Sequence, residues 1–401
     1  MNRKDKTDSS LIIFIMNTNS YKEFLANCKK EISKEKKFDF SDSNFEYIAA
    51  DVFRNVEKIK QIASNIRYKF INSIDDSLIS FDKHFSENGG NIHWCIAYDD
   101  FLLKLDKVLI KNKIKKINLY TSSFSDELGI SSFIKENDYK AEPESSDCVI
   151  FTPEFGIVNT GSMFLNFSSA YDMEMVLNGS LKIFILPISD FLFKPEETEI
   201  FSHLYSIYKD GTKFPYITSM FTPSPVDKNS NVHLFLIDNG RSNVLENQRI
   251  RRALTCISCG ACKRVCPVYK IIGDKPYDNV FTGPIANVIL PFIENIENYK
   301  HLCFTCTSCG NCSSVCPVKI PVSELILANR NYFFENRMMD IKDVRFANSI
   351  GKMLVSRKSL NKKRWMKVLR LKSFTNSQAV NEYSFSKSTF NQQFIAQFND
   401  K

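Results

Sequence analysis

One cysteine pattern occurs twice in this chain, and it limits the possible folds more than any other feature. Cys256-Ile-Ser-Cys259-Gly-Ala-Cys262-Lys-Arg-Val-Cys266-Pro267-Val268 returns as Cys306-Thr-Ser-Cys309-Gly-Asn-Cys312-Ser-Ser-Val-Cys316-Pro317-Val318, starting 50 residues later. Both copies read C-x2-C-x2-C-x3-C-P, the run of bacterial two-cluster iron–sulfur proteins. Three thiolates spaced by two residues reach three iron corners of a [4Fe–4S] cubane from one tight loop. Gly260 and Gly310 let the backbone pass close to inorganic sulfide and offer N–H donors. The fourth cysteine, followed by proline, points away and serves the opposite cluster. The expected ligand sets are therefore Cys256, Cys259, Cys262 and Cys316 for one cluster, and Cys306, Cys309, Cys312 and Cys266 for the other. Crossed ligation would bring two [4Fe–4S] clusters near enough for an electron to pass between them.

Structural zinc is the competing reading, because C-x2-C pairs also suit a tetrahedral ion. Zinc leaves the third cysteine, the x3 gap and the Cys-Pro unexplained in both copies. Disulfides fit less well still. The first apolar run, Leu11–Met16, is shorter than a secretory segment, and no stretch reaches the roughly 18 apolar residues of a membrane span. A cytoplasmic location is expected, where thiols stay reduced. Of the 12 cysteines, four lie outside the repeat. Cys95 and Cys148 sit in strand-like apolar surroundings and read as core. Cys28 has no assigned role. Cys303, three residues before Cys306, reads as a bystander, since the repeat is complete without it.

The rest of the chain divides into four parts. Residues 1–87 form an N-terminal helical arm, in which Ile48, Val52, Val56, Ile59 and Ile62 recur at the spacing of a buried helical stripe. Residues 88–243 alternate short apolar strands with amphipathic helices, which predicts an α/β layered domain. Strands are expected at Asn91–Tyr98, Lys116–Tyr120, Cys148–Phe151, Gly156–Val158, Met163–Phe167, Leu181–Pro187 and Val232–Ile237. Helices are expected at Phe101–Ile114 and Ser125–Glu136. Residues 244–336 form an all-α, ferredoxin-like two-cluster domain, and residues 337–401 a basic helical segment with a polar tail. With 43% hydrophobic residues over 401 positions, the chain can bury such a core and is neither disordered nor collagenous.

Other motifs are weaker. Gly156 to Ser162 has glycines five apart but no P-loop lysine, and reads as a strand–turn–strand with anion binding as the lesser alternative. Asn88-Gly89-Gly90 is a turn without a dinucleotide fingerprint. Asp238-Asn239-Gly240-Arg241 is a turn, and Arg241 reads as a surface arginine. The five histidines form no ligand set. His93 and His233 read as core or edge residues, and His301 as a core residue that would otherwise donate near the second motif. No nucleophile elbow or paired carboxylates appear, so no catalytic residue is assigned.

The net charge is +8, and its positive part is local. Between Ile341 and Lys372 stand eleven Lys and Arg against one acid, Asp343. A solvated helix face accounts for this as well as docking to a partner or to the inner face of a membrane does. Nucleic acid is not expected, because no binding motif accompanies the charge.

The order of Val232–Arg241, Arg252-Ala253-Leu254, the first cysteine run, Pro267–Gly273, Gly283-Pro284-Ile285 and Pro317–Pro321 resembles the lactate utilisation protein B family, from about Asn88 to about Pro321. That resemblance implies a LUD domain of NagB/RpiA/CoA-transferase-like fold before a ferredoxin-type domain. It also implies a three-protein complex oxidising L-lactate to pyruvate, in which this chain, with eight cysteine ligands and no catalytic constellation, is expected to be an electron-transfer subunit. The implied partners are a cysteine-rich CCG-type subunit and a second LUD protein. A redox-sensing or regulatory iron–sulfur module is the alternative. The family's Glu-Thr-Gly-Ser or Glu-Thr-Gly-Thr is here Asn159-Thr160-Gly161-Ser162, so any role of that glutamate is missing.

Overall fold

Strands buried along their whole length mark a sheet covered on both faces. Leu181–Pro187 is buried at every position, Cys148–Phe151 likewise, and Asn231–Ile237 at all but the first. The computed structural model describes residues 19–32, 44–141, 147–213, 217–224, 231–277 and 281–339, with positions 345, 348, 351, 352, 394, 395 and 397. Residues Thr18–Tyr332 form one compact unit, and Met1–Asn17 with Phe333–Lys401 belong to another. The basic segment 341–372 lies almost wholly outside the described residues.

The strands are β1 (Asn91–Cys95), β2 (Lys116–Leu119), β3 (Lys140–Ala141), β4 (Cys148–Phe151), β5 (Phe155–Ile157), β6 (Ser162–Phe167), β7 (Leu181–Pro187), β8 (Phe191–Leu192), β9 (Ile217–Phe221) and β10 (Asn231–Ile237). Six of them make a parallel sheet in the order β1-β10-β7-β4-β2-β3. The other four make a small second sheet, β8-β5-β6-β9, antiparallel except where β5 meets β8. The α/β expectation therefore holds. β3, β8 and β9 were not legible, being two to five residues long with little alternation.

Helices α5 (Tyr98–Lys111), α6 (Ser123–Glu127), α7 (Ile130–Glu136), α8 (Ala170–Asn178) and α9 (Thr198–Tyr205) connect these strands. Phe101, Leu105 and Leu109 of α5 pack into one core with Ile117, Ile150, Ile183 and Phe235 from the sheet. Each such side chain, fully withdrawn from water, contributes about 1.5–3 kcal/mol. The helix expected over Ser125–Glu136 is two helices, because Gly129 takes a left-handed conformation (φ +63°) and ends the first turn. Gly156–Ser162 is the strand–turn–strand that its sequence suggested. Gly161 (φ +61°) turns there so tightly that a Cβ would lie 2.5 Å from the backbone nitrogen of Phe85.

The N-terminal helices are α1 (Asn19–Ile32), α2 (Phe45–Val52), α3 (Val56–Asn72) and α4 (Ile74–Glu87). The stripe expected along them is displaced. Ile48, Val52, Val56, Ile59 and Ile62 are only half-buried, whereas α3 buries Lys60, Ala63, Ser64, Arg67, Phe70 and Ile71. The buried face is offset from the aliphatic one because two cations on it find specific partners. Lys60 reaches Glu46 at 2.6 Å, and Arg67 reaches backbone carbonyls. After β10 the chain is helical: α10 (Arg241–Glu246), α11 (Ala261–Arg264), α12 (Pro267–Ile272), α13 (Ala286–Ile293), α14 (Ile296–Tyr299), α15 (Asn311–Val315) and α16 (Val322–Glu335). α11 and α15, one from each cysteine motif, lie against each other.

Candidate metal centre

The two cysteine motifs fold the same way because their backbone requirements are the same. Each follows a 3-10 turn, Arg251–Thr255 or Lys300–Thr305. A threonine hydroxyl closes each turn, Thr255 onto the Arg252 carbonyl at 2.8 Å and Thr305 onto Leu302 at 2.7 Å. Ser258 and Ser308 then take left-handed conformations (φ 54° and 57°), and Gly260 and Gly310 do so again (φ 72° and 81°). These reversals turn the serine N–H groups back onto sulfur. Ser258 donates to Cys256 Sγ and Ser308 to Cys306 Sγ, each at 3.3 Å. Ile320 donates to Cys316 Sγ at the same distance. Such N–H donors favour thiolate over thiol. Space beside Gly260 and Gly310 is open, with no atom within 4 Å of a would-be Cβ.

The eight motif cysteines border two separate spaces. Cys256, Cys259, Cys262 and Cys316 line part of a cavity of about 770 Å³. Cys266, Cys306, Cys309 and Cys312 line a much smaller one, about 20 Å³. Each group takes three cysteines from one motif and the fourth from the other. Cys259, Cys312 and Cys316 are buried, Cys309 is exposed and the others are half-buried. Burial pushes the Cys256 thiol up to about 12, and Cys266 and Cys312 to about 11. Cys262 is pushed well above its ordinary value, first by burial and then by Cys256, Cys259 and Cys316. Crowded, desolvated thiols of this kind ionise only when a cation takes up their charge.

Among the described residues, no three or more His, Cys, Asp or Glu side chains converge on a point that would hold a single metal ion. The four cysteines of each group border one space. That donor chemistry, with backbone N–H groups aimed at sulfur and left-handed residues opening the loops, fits a polynuclear iron–sulfur group. At the second space the fit rests on the donor set rather than on the empty volume.

The remaining residues singled out from sequence fall elsewhere. Cys95 and Cys148 are in the sheet core. Cys28 is buried on α1. Cys303 is fully buried, with its sulfur 2.9 Å from the Asn287 carbonyl, and borders neither space. His93 Nε2 and His233 Nδ1 lie 2.8 Å apart across β1 and β10. His301 packs between Tyr21 and Phe24 of α1. Asn159 is exposed in the β5–β6 turn and does not border the large cavity. Arg241 corrects the sequence reading. It is 4% exposed and paired with Glu127, so it is no surface arginine.

The larger cavity also touches the C-terminal ends of β2, β4 and β7, through Tyr120, Thr152, Glu154 and Asp190. In open α/β sheets that is where ligands bind. Sequence reasoning missed two arginines at the motifs, Arg67 and Arg330. Nothing local marks them, because Arg67 meets partners more than 120 positions away and Arg330 partners 22 to 27 positions away.

Residues 252–320 match the 4Fe-4S dicluster domain family. Over 72% of its length the chain is similar to lactate utilization protein B 2 of Bacillus mycoides (strain KBAB4), at 24% identity and covering 74% of that protein. Lactate utilization protein B of Bacillus thuringiensis (strain Al Hakam) matches with the same coverage at 23% identity. Among solved structures, a DUF162 family protein from Deinococcus radiodurans aligns with 41% of this chain and 97% of its own, at 12% identity and a TM-score of 0.30. No helix of the described residues is long and apolar enough to cross a membrane.

Proposed function

We propose that this chain is an iron–sulfur electron carrier of lactate utilisation, holding two [4Fe–4S] clusters and passing electrons between a partner that oxidises lactate and an acceptor. The observation that carries the reading is the division of the eight cysteines into two groups of four, each completed by the other motif's last cysteine. Cys256, Cys259, Cys262 and Cys316 would hold one cluster, and Cys306, Cys309, Cys312 and Cys266 the other. A [4Fe–4S] cluster supplies one-electron chemistry at a potential set by its net charge, its hydrogen bonds and its exposure.

The chain's own residues fix how that chemistry is presented. Ser258, Ser308 and Ile320 hold cysteine sulfurs by N–H donation. The packing of α11 on α15 keeps the two groups side by side. Exposed Cys309 leaves the second group open to solvent or a docking partner, whereas the first borders the cavity at the C-terminal ends of the sheet strands. We further propose that the α/β part is a LUD domain of NagB/RpiA/CoA-transferase-like fold. The dehydrogenating chemistry would then belong to other subunits, a cysteine-rich CCG-type protein and a second LUD protein. The similarity to lactate utilization protein B supports this reading.

Anaerobic reconstitution should give about eight iron and eight sulfide per chain. With co-purified partner subunits, L-lactate should reduce the clusters, as followed by EPR. A preparation holding zinc and no sulfide would reject the reading.

A further inference from the structure

Each cysteine motif is gripped at its entry turn by one arginine, and the two arginines have different surroundings. Arg67, in the C-terminal half of α3, is 0% exposed. Its Nη2 donates to the Leu254 carbonyl at 3.2 Å and its Nε to Thr255 at 3.4 Å, the two residues before Cys256. On its other side it donates to the carbonyls of Phe191 at 2.9 Å and Ser189 at 2.8 Å, and to Asp190 Oδ1 at 3.2 Å. Arg330, on α16, makes the corresponding grip on the second motif. It donates to the Cys303 carbonyl at 2.9 Å, the Cys306 carbonyl at 2.6 Å and the Ser308 hydroxyl at 3.4 Å. Arg67 thus faces a carboxylate, while these three acceptors of Arg330 are neutral.

A guanidinium stays protonated in proteins, so each is a fixed positive charge next to the backbone of a first-position cysteine. Reduction adds a negative charge to a centre, and a nearby fixed cation favours it, the more so where the surroundings are dry. Asp190 acts on Cys256 in the opposite sense to Arg67.

We propose that Arg67 and Arg330 are positioning residues that set the potentials of the two centres separately, Arg67 for the centre of Cys256 and Arg330 for that of Cys306. The proposal rests on the reading that both cysteine groups carry clusters. Arg67 also joins the β8 segment to the first motif. Lys60 and Arg252, which act on Cys316, stay in place in every variant below.

The test is an EPR-monitored redox titration of the full-length, anaerobically reconstituted chain at fixed pH. Cys256→Ser and Cys306→Ser identify which signal belongs to which centre. Arg67→Met should shift the reduction equilibrium of the first centre roughly tenfold toward the oxidised form, about 59 mV for one electron, and leave the second unmoved. Arg330→Met should do the same to the second centre alone. Asp190→Asn, which leaves Arg67 unopposed, should move the first centre the other way, and Arg67→Lys should stay near wild type. A purely structural role would not reverse sign between Arg67 and Asp190. If Arg67→Met does not fold, the Asp190→Asn and Arg330→Met shifts decide. Joint movement of both centres, the same sign for both first-centre variants, or no shift in a chain holding two clusters overturns the proposal and leaves the functional reading intact. A wild-type chain without clusters would fail the functional reading itself.

Discussion

Glu127 and Arg241 meet in a two-pronged ion pair, Nη1 to Oε1 and Nη2 to Oε2 each at 2.9 Å, with both side chains 5% exposed. The pair joins α6, which follows β2, to α10, which opens the cysteine-bearing region. Burial alone would lower the Arg241 pKa, yet Glu127, Asp190 and Asp238 together offset that and the net direction is up. Asn239 donates to the same carboxylate at 2.7 Å.

Removing one partner of such a pair strands a buried charge, and that costs about 3–5 kcal/mol. Glu127→Ala should therefore lower the urea midpoint strongly. Glu127→Leu with Arg241→Met should recover much of the loss, because apolar residues of similar volume carry no desolvation penalty. A double variant as unstable as the single one would show that the pair's geometry, rather than its charge, is what matters.

The contrast between legible and illegible features follows the range of the interactions involved. Cys148–Phe151 and Leu181–Pro187 match their strands end to end because a continuous apolar run is a local property. The cysteine spacing is local too. Arg241 reads as a surface residue in the sequence because Glu127 stands 114 positions away, and nothing near Arg241 announces it. On α3 the aliphatic residues gave the wrong face for the same reason: the burial of Lys60 and Arg67 depends on Glu46, Ser189, Phe191 and Leu254. Gly129, by contrast, stood in plain view inside an expected helix, and its left-handed turn is the ordinary reason a helix stops at glycine.

Crossed pairing of the motifs gives opposite outcomes for two matched serine substitutions. Cys316→Ser should remove the centre built on Cys256, Cys259 and Cys262, and Cys266→Ser the one built on Cys306, Cys309 and Cys312. Each variant should keep about four iron per chain, with a different EPR signal surviving in each. Iron and sulfide analysis with EPR of the two proteins checks this. Cys256→Ser, which removes the first motif's centre under either pairing, marks its signal; survival of that signal in Cys316→Ser would mean that each motif serves itself.

Cys303 is a control within the same segment. Its thiol donates to the Asn287 carbonyl, and Asn329 Nδ2 lies 3.8 Å from its sulfur. Cys303→Ser keeps a donor at that place and should leave iron content unchanged. Cys306→Ser, three residues on, should cost about half of the iron. Iron loss in the Cys303 variant would make it a ligand.

Acid should weaken the fold through two buried histidines. Burial lowers both His233 and His301 to about 4, with His93 adding to the shift at His233. An unfolded chain protonates its histidines near pH 6.5, whereas these two in the folded chain resist until about 4. Their contribution is complete above pH 6.5 and is lost as pH falls from 6.5 toward 4, on the order of 3 kcal/mol for each. Glu154 and Asp190 work in the opposite sense, since burial raises their pKa values and their protonated forms favour the fold in acid. The histidine share is therefore best read as a difference between proteins. Urea midpoints at pH 7.5 and 5.5 should fall less between the two for His301→Gln than for wild type, because glutamine has no proton to take up. His301 packs on α1 rather than on a cysteine, so this difference should not follow iron content. An equal fall in both proteins would remove His301 from the account of acid sensitivity.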